Sequence, residues 1–201
     1  MNTGSKYTDV LQTLGDISGL VENLLLLLSD KEKTVIIRRF DLDSKGKSTL
    51  EEIGKDFSVT RERIRQIEKN ALGKMKRNVF NSALTNLHDH VAVSVRKHGG
   101  VYKKESLVDD LRSLLGEQGQ IHEGCLDLAL VLHEELDSVG NTINFHPYLR
   151  DKSLADYSLK HASNQLVNQM HKYGDAKTVS KVHKDLEPVF SELNFDLARL
   201  K

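Results

Sequence analysis

The chain has 201 residues, with 29 Lys and Arg against 29 Asp and Glu, so its formal net charge is zero. One cysteine excludes an intramolecular disulfide and a multi-cysteine metal cluster, and it fits a reducing compartment. With 38% hydrophobic and 29% charged residues, two prolines and no tryptophan, the composition suits a charge-rich, mainly α protein of one to three small domains. The longest apolar run, Leu24 to Leu28, falls far short of the ~18 residues of a membrane span. Met1 to Asp16 is polar and lacks a signal-peptide core, so the expected location is cytoplasmic.

The zero sum conceals an asymmetry. Residues 1–30 carry a net −3, residues 31–77 a net +6 and residues 78–201 a net −3. A basic centre between acidic flanks is one footprint of a polyanion-binding protein. An ordinary solvated helical surface gives the same sums.

Val10, Leu11, Leu14, Ile17, Leu20 and Val21 recur at helical spacing and predict one or two helices over about 7–28. Ser29 and Asp30 are N-cap candidates for a helix carrying Val35, Ile36, Ile37 and Phe40. Residues 41–48 read as a loop. Thr49-Leu50-Glu51-Glu52 is a capping box, in which the Thr hydroxyl and the Glu carboxylate satisfy the orphan amides of a helix start. That helix should run to about Phe57, turn over Ser58-Val59-Thr60, and lead into a longer helix from Arg61 to about Arg77. Leu50, Ile53, Phe57, Val59, Ile64 and Ile67 are the expected core of this part.

Thr49 to Arg77 thus has the order of a helix-turn-helix, whose second helix can enter a DNA major groove. At about 100° per residue, Arg61, Glu62, Arg65, Gln66 and Lys69 fall on one polar face, while Ile64, Ile67, Ala71 and Met75 fall on the opposite side. Arg can bond guanine O6 and N7, Glu can accept from cytosine N4, and Gln can pair with adenine. An amphipathic surface helix with internal ion pairs would show the same periodicity.

Downstream, a shift of 75 residues places Val91, Val95, Lys97, Gly99, Leu107, Asp110, Leu111, Leu114 and Leu115 over Leu166, Met170, Lys172, Gly174, Val182, Asp185, Leu186, Val189 and Phe190. Each copy reads as helix, Gly-containing turn, helix. A helix near His122–Glu135 and a strand-and-turn segment over Ser138–Tyr148 would complete a winged-helix order in the first copy. The third helix of the second copy would begin after about residue 194, so that unit is expected to be partial. The division expected is 1–80 for the helix-turn-helix, 81–150 for a winged-helix-like unit and 151–201 for the second, incomplete one.

Three stretches carry a family resemblance: Leu28 to Phe40, Thr49 to Gly54, and Phe57 to Glu68 with Ala71-Leu72. They resemble region four of the principal, sigma-seventy type sigma factors of bacterial RNA polymerase. The uninterrupted run Val59-Thr-Arg-Glu-Arg-Ile-Arg-Gln-Ile-Glu68 is its most specific part. Ser29 stands where the family has proline, Lys31 where it has arginine, and Asp41 where it has glycine.

The resemblance implies binding of −35 promoter DNA and of the flap of the polymerase β subunit. It implies Arg61, Glu62 and Gln66 as base readers, and Arg39, Thr49, Thr60, Arg65 and Lys69 on the DNA backbone side. The later repeat resembles winged helices of the HARE type, related to the domain of the polymerase delta subunit. Tyr7 is the sole aromatic before Phe40, so the expectation is a transcription factor that does not melt promoters by itself.

No phosphate-binding glycine loop, paired-carboxylate site or Ser-His-Asp arrangement is visible, so neither an enzyme nor a cofactor is expected. His88-Asp-His90 and His133-Glu-Glu135 lack metal-ligand spacing and read as surface or cap histidines. Cys125 reads as a small buried residue. Lys103 and Lys104 read as solvated. A protein-interaction adaptor with secondary DNA contact is the alternative function.

Overall fold

The computed structural model describes residues 3–116, 120–143 and 145–192. Ten helices and three short strands are present among them. Two helices, α1 (Thr3–Gly15) and α2 (Ile17–Leu25), precede α3 (Asp30–Phe40). The helix-turn-helix is α4 (Leu50–Asp56) and α5 (Arg61–Val79). Next come α6 (Leu84–Lys97), β1 (Val101–Lys103), α7 (Lys104–Leu115), α8 (Glu123–Val131), β2 (Leu136–Val139) and β3 (Tyr148–Asp151). The chain continues with α9 (Asp156–Tyr173) and α10 (Val179–Glu192).

Residues 84–151 have the winged-helix order. Strand β3 lies between β1 and β2, antiparallel to both, with Tyr102 opposite Leu149 and Ser138 opposite Leu149 on the other side. Strand β1 is too short to show a period in the sequence. The third helix ends at Val131 rather than near Glu135, because a turn at His133 feeds β2, so the hairpin spans 136–151 rather than 138–148.

Both stretches of the sequence repeat contain a pair of helices, α6 and α7 in the first and α9 and α10 in the second. Helices α7 and α10 begin 75 residues apart, at Lys104 and Val179. Asp110 and Asp185 each accept a tyrosine hydroxyl, but Tyr102 and Tyr173 are 71 residues apart and do not correspond under the 75-residue shift. The environments differ. Val91 and Val95 are fully buried, whereas their counterparts Leu166 and Met170 are exposed. The expected third helix of the second copy lies in residues 193–201, outside the described residues.

One large core runs from Val10 and Leu14 through Val21, Leu24, Ile36, Met75 and Val79 to Leu87, Val91, Leu107, Leu128 and Leu149. It joins elements on both sides of residue 80: α1 packs on α6 and α7, and α2 and α3 pack on α8. A second core of Val35, Ile53 and Ile64, with Leu50, Phe57 and Ile67 against it, belongs to the helix-turn-helix. Val59, expected in that core, is 36% exposed because it sits in the turn. Helices α3 and α5 serve both cores: Val35 and Ile64 face one, and Ile36, Ala71 and Met75 the other. A small third core of Ala162 and Leu186, with Val101, Leu154, Leu159 and Val182, seats α9 and α10.

His88 and His133, expected at surface or cap positions, are buried and stack with ring centroids 4.6 Å apart. His88 Nε2 lies 2.8 Å from the Ala129 carbonyl, and His133 Nε2 lies 3.0 Å from the His88 carbonyl. The His133 Nδ1 accepts the amides of Glu135 and Leu136, which ends α8 and starts β2. Burial pushes the His88 pKa down to about 4, with the neighbouring His133 adding to the shift.

Candidate nucleic-acid interface

The helix-turn-helix is built by caps and one tight approach. Thr49 holds the extended N-cap conformation of α4, and its hydroxyl accepts the Glu52 amide at 3.2 Å. The Glu52 carboxylate accepts the Thr49 amide at 2.7 Å, and that bond holds its pKa below the usual range. Both halves of the capping box predicted from Thr49 to Glu52 are therefore made. Helix α4 ends at Asp56 with Phe57 as its C-cap, and Ser58 in the turn has a left-handed φ of 53°. Gly54 faces this turn: a Cβ there would lie 2.8 Å from the Val59 carbonyl oxygen, so only glycine lets the turn close on α4. Thr60 then caps α5, its hydroxyl accepting the Arg63 amide at 3.2 Å.

These features set the first two turns of α5 outward. Arg61, Glu62, Arg63, Arg65, Gln66 and Lys69 are all exposed, while Ile64 and Ala71 are fully buried beneath them. Glu62 accepts two hydrogen bonds from Arg65, at 2.8 Å from Nε and 2.7 Å from Nη2. The Arg65 guanidinium holds the Glu62 carboxyl below the usual carboxylate range. Arg63 Nη1 donates to the Gln66 side-chain oxygen at 3.3 Å. Arg63 was not among the sequence candidates, since its position beside the polar face comes from this contact rather than from the helical wheel.

Arg39 lies at the end of α3, where Nε donates to Glu68 at 2.9 Å and Nη1 to the Ser48 carbonyl at 2.9 Å. It ties the end of α3 to α5 and to the residue before the Thr49 cap. Arg38, at the neighbouring position, ties α3 to the end of α4, donating to Asp56 at 2.6 Å, and to Ser48 Oγ at 3.3 Å. Neither Glu68 nor Arg38 could be singled out by local pattern, because their partners are 29 and 18 residues away.

The two departures from the family pattern at the ends of α3 have local reasons. Ser29 is the N-cap and forms a capping box with Glu32. Asp41 adopts the left-handed conformation, φ 58° and ψ 45°, at the C-cap. That conformation favours glycine, and Asp tolerates it because its side chain bonds locally. Here Asp41 Oδ1 accepts the Gly46 amide at 2.7 Å.

Away from α5, a cleft of about 470 Å³ opens between α2, α3 and α8, floored by Val21, Leu25, Ile37, Leu42 and Cys125. Leu26, 75% exposed, stands at its rim with Leu27 beside it. Cys125 is buried, as its apolar setting suggested, and burial raises its thiol pKa. Among the described residues no group of three or more His, Cys, Asp or Glu side chains converges on a metal position.

Residues 24–77 match the family model described as Sigma-70, region 4. A Helicobacter pylori protein named RNA polymerase sigma factor RpoD is 44% identical over 72 residues, which cover 35% of this chain and 11% of that protein. Proteins named RNA polymerase sigma factor SigA from Microcystis aeruginosa and from Synechocystis are each 52% identical over 64 residues, covering 32% of this chain and 15% of theirs. The chain thus spans between a tenth and a sixth of the length of these curated relatives.

Proposed function

We propose that this chain is a sequence-specific, cytoplasmic DNA-binding factor of transcription initiation, which places the N-terminal turns of α5 in the major groove of −35-type promoter DNA. The observation that carries this reading is the exposed set Arg61, Glu62 and Gln66, within the first two turns of a capped helix in the segment matching Sigma-70 region 4. Arg and Gln present bidentate donor or donor–acceptor sets to guanine and adenine, and Glu accepts from cytosine. Arg39, Thr49, Thr60, Arg65 and Lys69 flank this set and position it on the phosphates. The chemistry is recognition, and no catalytic step is assigned to any side chain.

RNA polymerase is the proposed protein partner, with the β-subunit flap seated on the cleft beside Leu26, whose apolar floor is rimmed by Glu22, Lys33 and Asp43. The winged-helix-like unit over 81–150 and the partial one over 151–201, HARE-like in sequence, are the further units of the same factor. The test is fluorescence anisotropy with a −35-type duplex and a scrambled duplex of equal length. Preference for the first, abolished by Arg61→Ala with Gln66→Ala, supports the reading; equal affinity for both duplexes overturns it.

The exposed Leu26 favours a second reading, a polymerase adaptor with secondary DNA contact. Recovery of polymerase core on immobilised promoter DNA separates the two. The adaptor reading requires promoter recruitment to survive Arg61→Ala with Gln66→Ala and to fail with Leu26→Asp. The first reading requires recruitment to fail with both.

A further inference from the structure

In a winged helix the third helix is the element free to meet DNA, yet here α8 faces the protein. Gly124, Cys125, Leu126, Leu128, Ala129 and Leu130 are buried, and α8 packs on α2, α3 and β2. Its first turn is pressed onto the end of α3. A Cβ at Gly124 would lie 2.2 Å from the Phe40 carbonyl oxygen and 2.8 Å from that of Asp41. No other residue fits at this distance without moving the α3 terminus.

Two more contacts follow the chain into the α3–α4 loop. The His122 Nδ1 accepts the Cys125 amide at 3.3 Å as the cap of α8, which leaves Nε2 to donate to Ser44 Oγ at 3.2 Å. Asp127 accepts Lys47 Nζ at 2.6 Å on one oxygen and Lys104 Nζ at 2.5 Å on the other. Lys104, expected to be solvated, is thereby fixed. Thus α8 touches the chain at residues 40–41, 44 and 47. Residues 41–48 contain no helix or strand, and Asp41, Ser44 and Gly46 have positive φ. Inside this loop the Gly46 amide donates to Asp41 Oδ1 at 2.7 Å and Lys45 pairs with Asp43 at 2.9 Å, so the contacts from α8 add to a partly braced loop. Arg39, in the last turn of α3, and Thr49, the cap of α4, flank it, and both are among the backbone-side residues assigned above.

We propose that α8 is a strut for the DNA-facing loop, with Gly124 and Asp127 as positioning residues that set DNA affinity without touching DNA. The third helix of the winged unit is thus spent on the neighbouring helix-turn-helix, and displacing it weakens DNA binding. This proposal rests on the DNA-binding reading of α5.

The sign of one substitution separates the strut from plain electrostatics. Asp127→Asn removes a negative charge beside the proposed phosphate path, so simple charge repulsion predicts tighter binding. A strut predicts a loss of about fivefold or more on −35-type and scrambled duplexes alike, with the dependence of log K on log salt unchanged. Lys47→Met should give a similar loss, again with no change in salt slope, and the double variant should lose no more than either single one. A salt slope lowered by about one in Lys47→Met would instead make Lys47 a direct phosphate contact and overturn the proposal.

Hydrogen exchange on the full-length chain without DNA supplies a second readout. In Asp127→Asn the amides of 41–48 should exchange faster while those of α5 do not. Unchanged exchange there, or binding as tight as wild type, overturns the strut alone. A wild-type chain that binds neither duplex overturns the DNA reading as well, whatever the exchange shows.

Discussion

Glu62 and Arg65 each carry a bond that DNA must replace. In the free chain Arg65 spends two donors on the Glu62 carboxylate. Both groups are exposed, so water screens the pair and its loss costs little. A base edge offering Glu62 a donor, with a phosphate near Arg65, is therefore a feasible exchange. On this basis Arg61→Ala, Glu62→Ala and Gln66→Ala should each cost roughly ten- to hundredfold in affinity for the preferred duplex and little for scrambled DNA. Anisotropy titrations on both duplexes check this, and equal losses on the two would withdraw the base-reading assignment. Lys69→Ala should weaken both alike and lower the salt slope by about one. The buried histidine pair sets a different residue-scale expectation. The His88 pKa, about 4 in the folded chain, lies below its ordinary 6.5, with Asp89, Lys76 and His133 the charged neighbours. The neutral form is thus the folded form. Its contribution is complete above about pH 6.5 and is lost as pH falls towards 4, by roughly 3 kcal/mol at the acid end. Thermal melts from pH 7 to 4 should show this loss, and His88→Gln should lose less over the same window.

At the scale of elements, the helix-turn-helix is held by backbone geometry that a few side chains specify. Gly54→Ala should destabilise the chain by about 1–3 kcal/mol, since its methyl meets the Val59 carbonyl oxygen at 2.8 Å and backbone cannot rotate aside. Thr60→Ala should cost about 1 kcal/mol through loss of the α5 cap. Chemical denaturation measures both, and a neutral Gly54→Ala would show that the turn has slack. These elements were legible in the sequence because their determinants are local: caps three residues from their partners, and apolar positions three and four apart. The exposed face of α5 was legible for the same reason. What escaped was set by distance along the chain. Strand β1 exists because Val101 to Lys103 pair with residues 148–150. His88 is buried because α6 meets α8 forty-one residues later. Nothing in the local sequence marks Gly124, and only the approach of α3 gives it a purpose. Val59 was misplaced because an apolar type in a turn carries no periodicity of its own.

On the scale of the whole molecule, the position of the cores decides what unfolds together. The expected boundary near residue 80 meets a core that includes Val10, Leu14, Val21, Met75 and Val79 on one side and Leu84, Leu87, Val91 and Leu107 on the other. Cutting there would expose apolar surface on both halves, each side chain worth about 1.5–3 kcal/mol when buried. A domain holds only about 5–15 kcal/mol in reserve, so losing a handful of these contacts consumes it. The helix-turn-helix retains its own core of Val35, Ile53 and Ile64, which is too small to replace the large one. A fragment of residues 1–80 should therefore keep part of its helical circular dichroism but melt broadly and well below the full chain. The opposite end behaves differently. Helices α9 and α10 rest on the small cluster around Ala162 and Leu186, with Val101 and Leu154 its links to the sheet. They should open first on heating or in denaturant. Removing residues 156–201 should leave the main transition within a few degrees of its original temperature, as expected when the loss is near 1 kcal/mol. Hydrogen exchange across the full chain tests the order directly: amides of α9 and α10 should exchange ahead of those in α1, α5, α6 and α8, and the latter four should exchange together. If α5 protected its amides while α6 and α8 lost theirs, the helix-turn-helix would be an independent unit, and the strut formed by α8 would have no energetic hold on it.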